Sequence, residues 1–324
     1  MATSEPTPIP RTAPRKPASV QPGGGWCQRI ELLWGLWRRF WLRACRPGYV
    51  RHMAEVRQGE CHGCSHRIID SRDLKYCRNV CGYWFHPKDD AFLWRNKLGL
   101  ARYGLAEVFL FTLLLGAASA LLAVGGVCLF GGLWLPVPLL ILLWLEILYF
   151  FRDPERPIPD DPAALVSPAD GKITHVEEVA EADFPGGRAL RISIFLSIFN
   201  VHVNRSPRSA RVVNVRYFPG SFLDARNPHS AVQNEQLWID LEEAGGRPVR
   251  VKQISGAIAR RIVCWLKPGD QLQAGERIGM IKLGSRTDVL VPAGPGVEIL
   301  VKVDDKVRGG STVLLRLTEA APER

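Results

Sequence analysis

The alternation of apolar and polar residues changes character several times along the chain. Residues 1–25 show no apolar period and are rich in Pro, Gly and Ser, which predicts a disordered basic tail. Trp26, Ile30, Leu33, Trp37 and Trp41 then recur at steps of three and four. That spacing predicts an amphipathic helical segment over 26–57, with Arg38, Arg39 and Arg43 available to lipid phosphates. Residues 58–90 are polar and hold the cysteine cluster. The apolar stretch 104–151 exceeds the ~20 residues that one spanning helix needs, and Val108 to Leu145 contains no charge. Gly125-Gly126, Gly131-Gly132, Pro136 and Pro138 interrupt it, so two helices joined by a tight turn are predicted, 105–127 and 133–151. Arg95, Lys97 and Arg102 before this hairpin, and Arg152 and Arg156 after it, put both flanks on the cytoplasmic side by the positive-inside bias.

Beyond Arg152 the period shortens. Segments such as RALRISIFLSI, ARVVNVRYF, QLWIDL and RPVRVKQI are short, rich in Val and Ile, and bounded by Gly, Pro and Asp, as strands are. A helix is expected only around Ile258–Trp265. GDQLQAG at 269–275 and DDKVRGG at 304–310 form an internal repeat offset by 35 residues. Each copy has an acidic turn, one apolar residue and a glycine turn, which suits the paired hairpins of biotinyl- and lipoyl-carrier-like sandwiches. The expected fold is a mainly β domain over 152–324, β-sandwich or barrel-sandwich-like. A transmembrane helical hairpin and a small Cys-rich module precede it.

With 47% hydrophobic residues, wholesale disorder is excluded. The basic excess is concentrated at the start, where residues 1–60 carry ten Lys/Arg against four Asp/Glu. Beside an uncharged run, that excess points to an anionic membrane surface and away from nucleic acid. The opening residues lack the apolar core of a cleavable signal peptide, so a reducing compartment without a disulfide framework is expected. Cys61-x2-Cys64, a spacer of twelve, and Cys77-x3-Cys81 supply two close thiolate pairs, the spacing of a structural zinc site. His62, His66 and His86 are reserve ligands. Four thiolates would leave the metal no open position for catalysis.

Four stretches of the β-rich part carry candidate chemistry: SPADGKI (167–173), FNVHVNRSP (199–207), PGSFLDA with NEQ (219–225, 234–236) and GERIGMIKLGSRTDVLVP (275–292). Taken singly, each reads as ordinary structure. Asp170-Gly171 suits a β-turn, His202 a core position, and Gly284-Ser285 a bend between strands. There is a Ser, a His and an Asp, but no G-x-S-x-G elbow. In this order, however, with ISGAIARRIVCW (254–265) and the hairpin running into FRDPERP (151–157), the motifs resemble the phosphatidylserine decarboxylase family, the short bacterial type. The resemblance covers roughly residues 100–316 and leaves out the cysteine cluster.

The resemblance implies a self-processing carboxy-lyase acting on a phospholipid in the bilayer. Its pyruvoyl cofactor would form when Ser285 attacks the Gly284 carbonyl and the chain breaks between the two. The cleaved β and α chains would remain together as a heterodimer. Asp170 and His202 match the family's processing pair. Arg205 stands where longer members have a second histidine, three positions after His202, which puts the division of acid and base roles in doubt. Arg205 or Arg261 would meet the lipid phosphate. The enzyme would lie on the inner cell membrane, catalytic domain facing the cytoplasm. Two other readings are a decarboxylase of a related seryl ether lipid and a non-catalytic zinc-knuckle membrane adaptor; only the adaptor needs no chain break.

Overall fold

The computed structural model describes residues 26–61, 68–75, 77–227, 229–257, 261–282 and 284–317, with the backbone alone at 26–28 and 30. The basic tail, Cys64 and Leu283 lie outside the described residues. The amphipathic segment forms two helices, α1 (Trp26–Cys45) and α2 (Pro47–Val56). Pro47 opens α2, where a residue without an N–H costs no helical hydrogen bond. Leu33, Trp34, Leu36, Trp37, Phe40 and Trp41 are all exposed, as the periodicity predicts for one face.

The other face corrects an expectation. Arg38 and Arg39 are buried rather than free for lipid: Arg38 Nη1 lies 3.0 Å from Asp70, its Nη2 bonds Asp73, and Arg39 Nη1 lies 2.9 Å from Asp73. Buried guanidinium groups need paired carboxylates, and the chain supplies them at the start of α3 (Ser71–Leu74), which Asp70 also caps. Arg43 remains exposed.

The hairpin forms as expected from α4 (Leu105–Cys128) and α5 (Val137–Phe150). With their flanking turns, both are long and apolar enough to cross a membrane. The second helix begins late because Pro138 fits only its first turn. Trp144 Nε1 donates to Thr112 Oγ1 at 2.9 Å and ties the helices together.

The remainder is mainly β. Its strands are β1 (Ala164–Val166), β2 (Gly171–Ala180), β3 (Arg188–Leu196), β4 (Val203–Arg205), β5 (Ala210–Phe218), β6 (Gln236–Glu242) and β7 (Pro248–Ile254). There follow β8 (Ile262–Cys264), β9 (Gln271–Leu272), β10 (Arg277–Ile281), β11 (Ser285–Pro292), β12 (Val297–Ile299), β13 (Lys306–Val307) and β14 (Val313–Leu317). A short α6 (Ser230–Gln233) precedes β6. The helix expected around Ile258–Trp265 is not formed where the chain is described: Ile262–Cys264 is strand β8, and 258–260 lie outside the described residues.

An eight-stranded sheet runs β13-β2-β3-β11-β7-β6-β5-β9, beside three-stranded sheets β4-β10-β8 and β1-β14-β12. The two repeat copies supply its edge strands, β9 and β13. Their closing turns meet, a Cβ on Gly310 lying 3.5 Å from Gly275 Cα, so the sheet curls until its ends approach. One face of the β4-β10-β8 sheet (Ile262, Cys264, Ile278, Ile281) joins the main core with Ile192, Ile194, Leu237 and Val289. The other face (Val203, Val263, Met280) packs on Phe150, Phe151 and Tyr103 at the foot of the hairpin. The hairpin is thereby set directly against strands that carry the candidate motifs.

Candidate active site

Ser285 is the first residue of β11, which is hydrogen-bonded between β3 and β7. It lies opposite Leu196 and is fully buried, and its Oγ has no hydrogen-bond partner among the described residues. An unpaired buried hydroxyl costs about 1–3 kcal/mol, so this position is not optimised for stability. Gly284 has φ +64°, a conformation that side chains other than glycine resist. Its N–H donates to His202 Nε2 at 3.2 Å. On the other ring nitrogen, Nδ1 lies 2.9 Å from the Asn200 carbonyl. A carbonyl only accepts, so Nδ1 carries the proton and Nε2 presents its lone pair to the Gly284–Ser285 segment. Burial pushes the imidazole down to about 4, with Arg152 adding to the effect and the Asn200 bond opposing it. His202 is a neutral base at pH 7, and the Phe150 ring covers it at 4.4 Å.

A second close approach is made at the Gly284 carbonyl. The ISGA turn after β7 brings Gly256 against Gly284, so closely that a Cβ there would lie 2.3 Å from the Gly284 carbonyl oxygen. Beyond Ser285, Gln253 Nε2 donates to Asn204 Oδ1 at 2.8 Å, and Asn204 Nδ2 donates to Thr287 Oγ1 at 3.1 Å. This network joins β4, β7 and β11 next to the serine.

The structure brings Ser285, Gly284 and His202 together, but not the fourth expected member. Asp170 accepts from Arg156 Nη2 at 2.7 Å and from the Gly309 amide at 2.8 Å, so each of its oxygens is occupied away from His202. It stands at the start of β2, where neighbouring Lys172 faces Phe195 and Phe195 faces Arg286. Two strand spacings, about 10 Å, therefore separate the β2 and β11 backbones. Arg205 is not free for a lipid phosphate: it is buried and bonded to Asp153 at 2.9 Å and to the carbonyls of Gly275 and Pro154, each at 3.1 Å. Arg261 is also buried, one edge bonded to Glu31 at 2.6 Å, while its Nε and Nη1 have no hydrogen-bond partner among the described residues.

Three features escaped the sequence reading. Glu31 and Glu107 converge on Lys282 and Arg261 beside the site. Phe150 shields His202. Glu235 of the NEQ motif is buried, and that burial lifts its carboxyl to about 7 against a bond from Tyr217 at 3.0 Å. The charge-free run ending at Leu145 hints at a special role for the charges just outside it, but no periodicity pairs residues this far apart.

Of the expected zinc ligands, Cys77 and Cys81 are buried free thiols in a small core with Ile68, and Cys61 packs against them. Burial, then Cys81, pushes the Cys77 thiol up to about 12. Among the described residues no three His, Cys, Asp or Glu side chains converge as a metal site would require. The spacing expectation of zinc gains no support from them.

Residues 145–315 match the family model for phosphatidylserine decarboxylase. A phosphatidylserine decarboxylase proenzyme of Rhodopirellula baltica is 47% identical over 246 residues, covering 75% of this chain and 98% of the relative. One from Desulfotalea psychrophila is 50% identical over 167 residues, 52% of this chain and 77% of the relative. One from Symbiobacterium thermophilum is 48% identical over 177 residues, 55% of this chain and 81% of the relative.

Proposed function

Because the chain belongs to the phosphatidylserine decarboxylase family, we propose that it decarboxylates phosphatidylserine to phosphatidylethanolamine after cutting itself between Gly284 and Ser285. The observation that carries this reading is the neutral, buried His202, whose unprotonated Nε2 accepts the Gly284 N–H at 3.2 Å next to a Ser285 hydroxyl with no hydrogen-bond partner among the described residues. Those residues fit a pyruvoyl group made from the serine: the hydroxyl is uncommitted, and His202 and Gly256 touch the preceding Gly284 without hydrogen-bonding that hydroxyl.

In self-cleavage His202 Nε2 takes the Ser285 Oγ proton while Oγ bonds to the Gly284 carbonyl carbon. The peptide C–N bond then breaks, the proton passes to the serine nitrogen, and an ester remains. Loss of the Ser285 α-proton expels the Gly284 carboxylate and leaves dehydroalanine. Water replaces its nitrogen as ammonia, so the new chain begins with a pyruvoyl group. That carbonyl supplies the electron sink for loss of carbon dioxide from the lipid's serine headgroup. Asp170 supports the site by holding Arg156 and the Gly309 amide in place. Arg261 Nε and Nη1, which make no hydrogen bond among the described residues although Nη1 faces Glu107 at 3.8 Å, are the groups an anionic headgroup would meet.

The contact between Phe150, last residue of the hairpin, and His202 supports a site at membrane level, reached by a substrate whose acyl chains stay in the bilayer. With the basic flanks of the hairpin, it supports the inner cell membrane and a cytoplasmic catalytic domain. The exposed tryptophan face of α1 continues this surface, Trp34 lying 5.7 Å from Phe109 on α4. Intact-mass measurement of the detergent-purified protein tests the reading. It should show fragments 1–284 and 285–324, the smaller with a ketone-reactive N-terminus, and release carbon dioxide from phosphatidylserine. A single 36.1 kDa chain that is active and indifferent to hydroxylamine would overturn it.

A further inference from the structure

Lys282 stands three residues before Ser285, and its ammonium group is fully engaged. Nζ donates to Glu31 Oε1 at 3.1 Å, to the Tyr103 carbonyl at 3.0 Å and to Glu107 Oε1. Glu31 turns its second oxygen to Arg261 Nη2 at 2.6 Å, with Lys75 Nζ at 3.5 Å. Arg261 is tied back to the same segment, its carbonyl accepting the Lys282 N–H at 3.1 Å. Glu31 is 1% exposed. Burial opposes its ionisation, but the charges of Lys282, Lys75 and Arg261 outweigh that and hold the carboxyl well below the usual range.

Two points are therefore fixed on the chain entering the scissile bond. Gly284 is held by His202, and Lys282 by two carboxylates that come from α1 and from the first turn of α4. Neither carboxylate belongs to residues 145–315, the part matched by the decarboxylase family model. An attacking hydroxyl must meet its carbonyl within about 3–3.5 Å and in line, so a slack Lys282 would let the Gly284 carbonyl drift from Ser285. We propose that Glu31, together with Glu107, is a positioning residue for self-cleavage: through Lys282 it clamps the segment that carries the scissile bond, which makes processing depend on docking of the N-terminal helix.

This inference rests on cleavage at Gly284–Ser285, and its test separates the two. The full chain is synthesised in membranes, and conversion of the uncut to the cut form is followed with time for wild type and three variants. Glu31→Gln keeps the shape of the side chain and removes its charge. It should slow cleavage about tenfold or more, and Glu31→Asp should recover most of the rate. Arg78→Met removes a docking contact of the same module with the β domain at a different point, the 2.9 Å pair with Asp270, and should cleave at the wild-type rate. A structural loosening of the module would slow Arg78→Met as much as Glu31→Gln and show no recovery with Asp; that result overturns the proposal, as does wild-type cleavage in Glu31→Gln. If Glu31→Gln fails to accumulate, Glu107→Gln, which removes charge from the same ammonium, decides: slow cleavage supports the clamp and normal cleavage refutes it. A wild-type chain that never cuts would instead refute the function on which the clamp depends.

Discussion

At the scale of single residues, burial displaces the titration of two groups, His202 and Glu235, in opposite senses. His202 has its imidazole pushed to about 4, below its ordinary 6.5, so it remains a lone-pair base through neutral pH. Self-cleavage should accordingly hold steady from pH 8 to about pH 5.5 and fall only as pH approaches 4, which time courses in buffered detergent can follow. His202→Ala should slow it by about 10²–10⁴, the usual contribution of a positioned base. A midpoint near 6.5 would show that the histidine is solvated in the reacting state. The depressed value also has a stability consequence: the contribution is present above 6.5 and lost as pH falls through 4, at most about 3 kcal/mol. Glu235 works in the opposite sense. Its folded value of about 7 lies above the ordinary 4.5, so its contribution is present below 4.5 and lost as pH rises through 7. Glu235→Gln should therefore gain stability on the wild type between pH 5 and pH 8, again by at most about 3 kcal/mol. Parallel melts of the cleaved proteins at the two pH values measure this, and a constant difference in melting temperature would rule out the titration.

At the scale of elements, backbone approach matters more than side-chain identity. The ISGA turn can lie against the Gly284 carbonyl only because Gly256 has no Cβ. Gly256→Ala should keep the fold, since the turn follows β7 and leaves its pairing intact, yet reduce cleavage by a hundredfold or more. A band pattern like the wild type's would mean that the turn can give way. Such approaches were invisible in sequence, where SGA reads as an ordinary turn. Other elements were legible. A long uncharged run broken by Gly and Pro can scarcely become anything but the hairpin, and the 35-residue repeat foretold paired turns, although not that they form opposite sheet edges which then meet. Of the residues in the tryptophan period of α1, Leu33, Trp37 and Trp41 are exposed, but Arg38 and Arg39 behind them are not free for lipid because Asp70 and Asp73, their partners, lie about thirty positions away. The site divides along the same line. Ser285, Gly284 and His202 could be picked out because their motifs are contiguous and stand in a recognisable order. The separate anchorage of Asp170, the burial of Arg205 in a clamp and the convergence of Glu31 on Lys282 depend on contacts from 14 to 251 residues apart, which leave no local pattern.

On the scale of the whole molecule, the cut falls at the entrance to one of the central strands. Residues 285–324 contain β11, β12, β13 and β14. Of these, β11 pairs along its length with β3 and partly with β7, β13 edges the large sheet, and β14 joins β1 to β12. The fragment also buries Val289, Leu290, Val291, Val307, Leu314, Leu315 and Leu317. At about 1.5–3 kcal/mol per fully buried aliphatic side chain, withdrawing it would forfeit roughly 10–20 kcal/mol before any hydrogen bond is counted, as much as the whole net stability of a typical domain. The product of cleavage should therefore behave as one folded body. In detergent, the 40-residue chain should co-elute with the 284-residue chain at one to one and separate only under conditions that also abolish the near-ultraviolet signal of buried Trp238. Loss of the small chain on simple dilution, with that signal retained, would mean that β11 is not the structural strand its pairing implies. Such permanence also has a functional reason. On the proposed reading the new N-terminus stays at the buried start of β11, next to the Gly284 position that His202 and Gly256 touch, so the group of the second reaction would be held where the first took place.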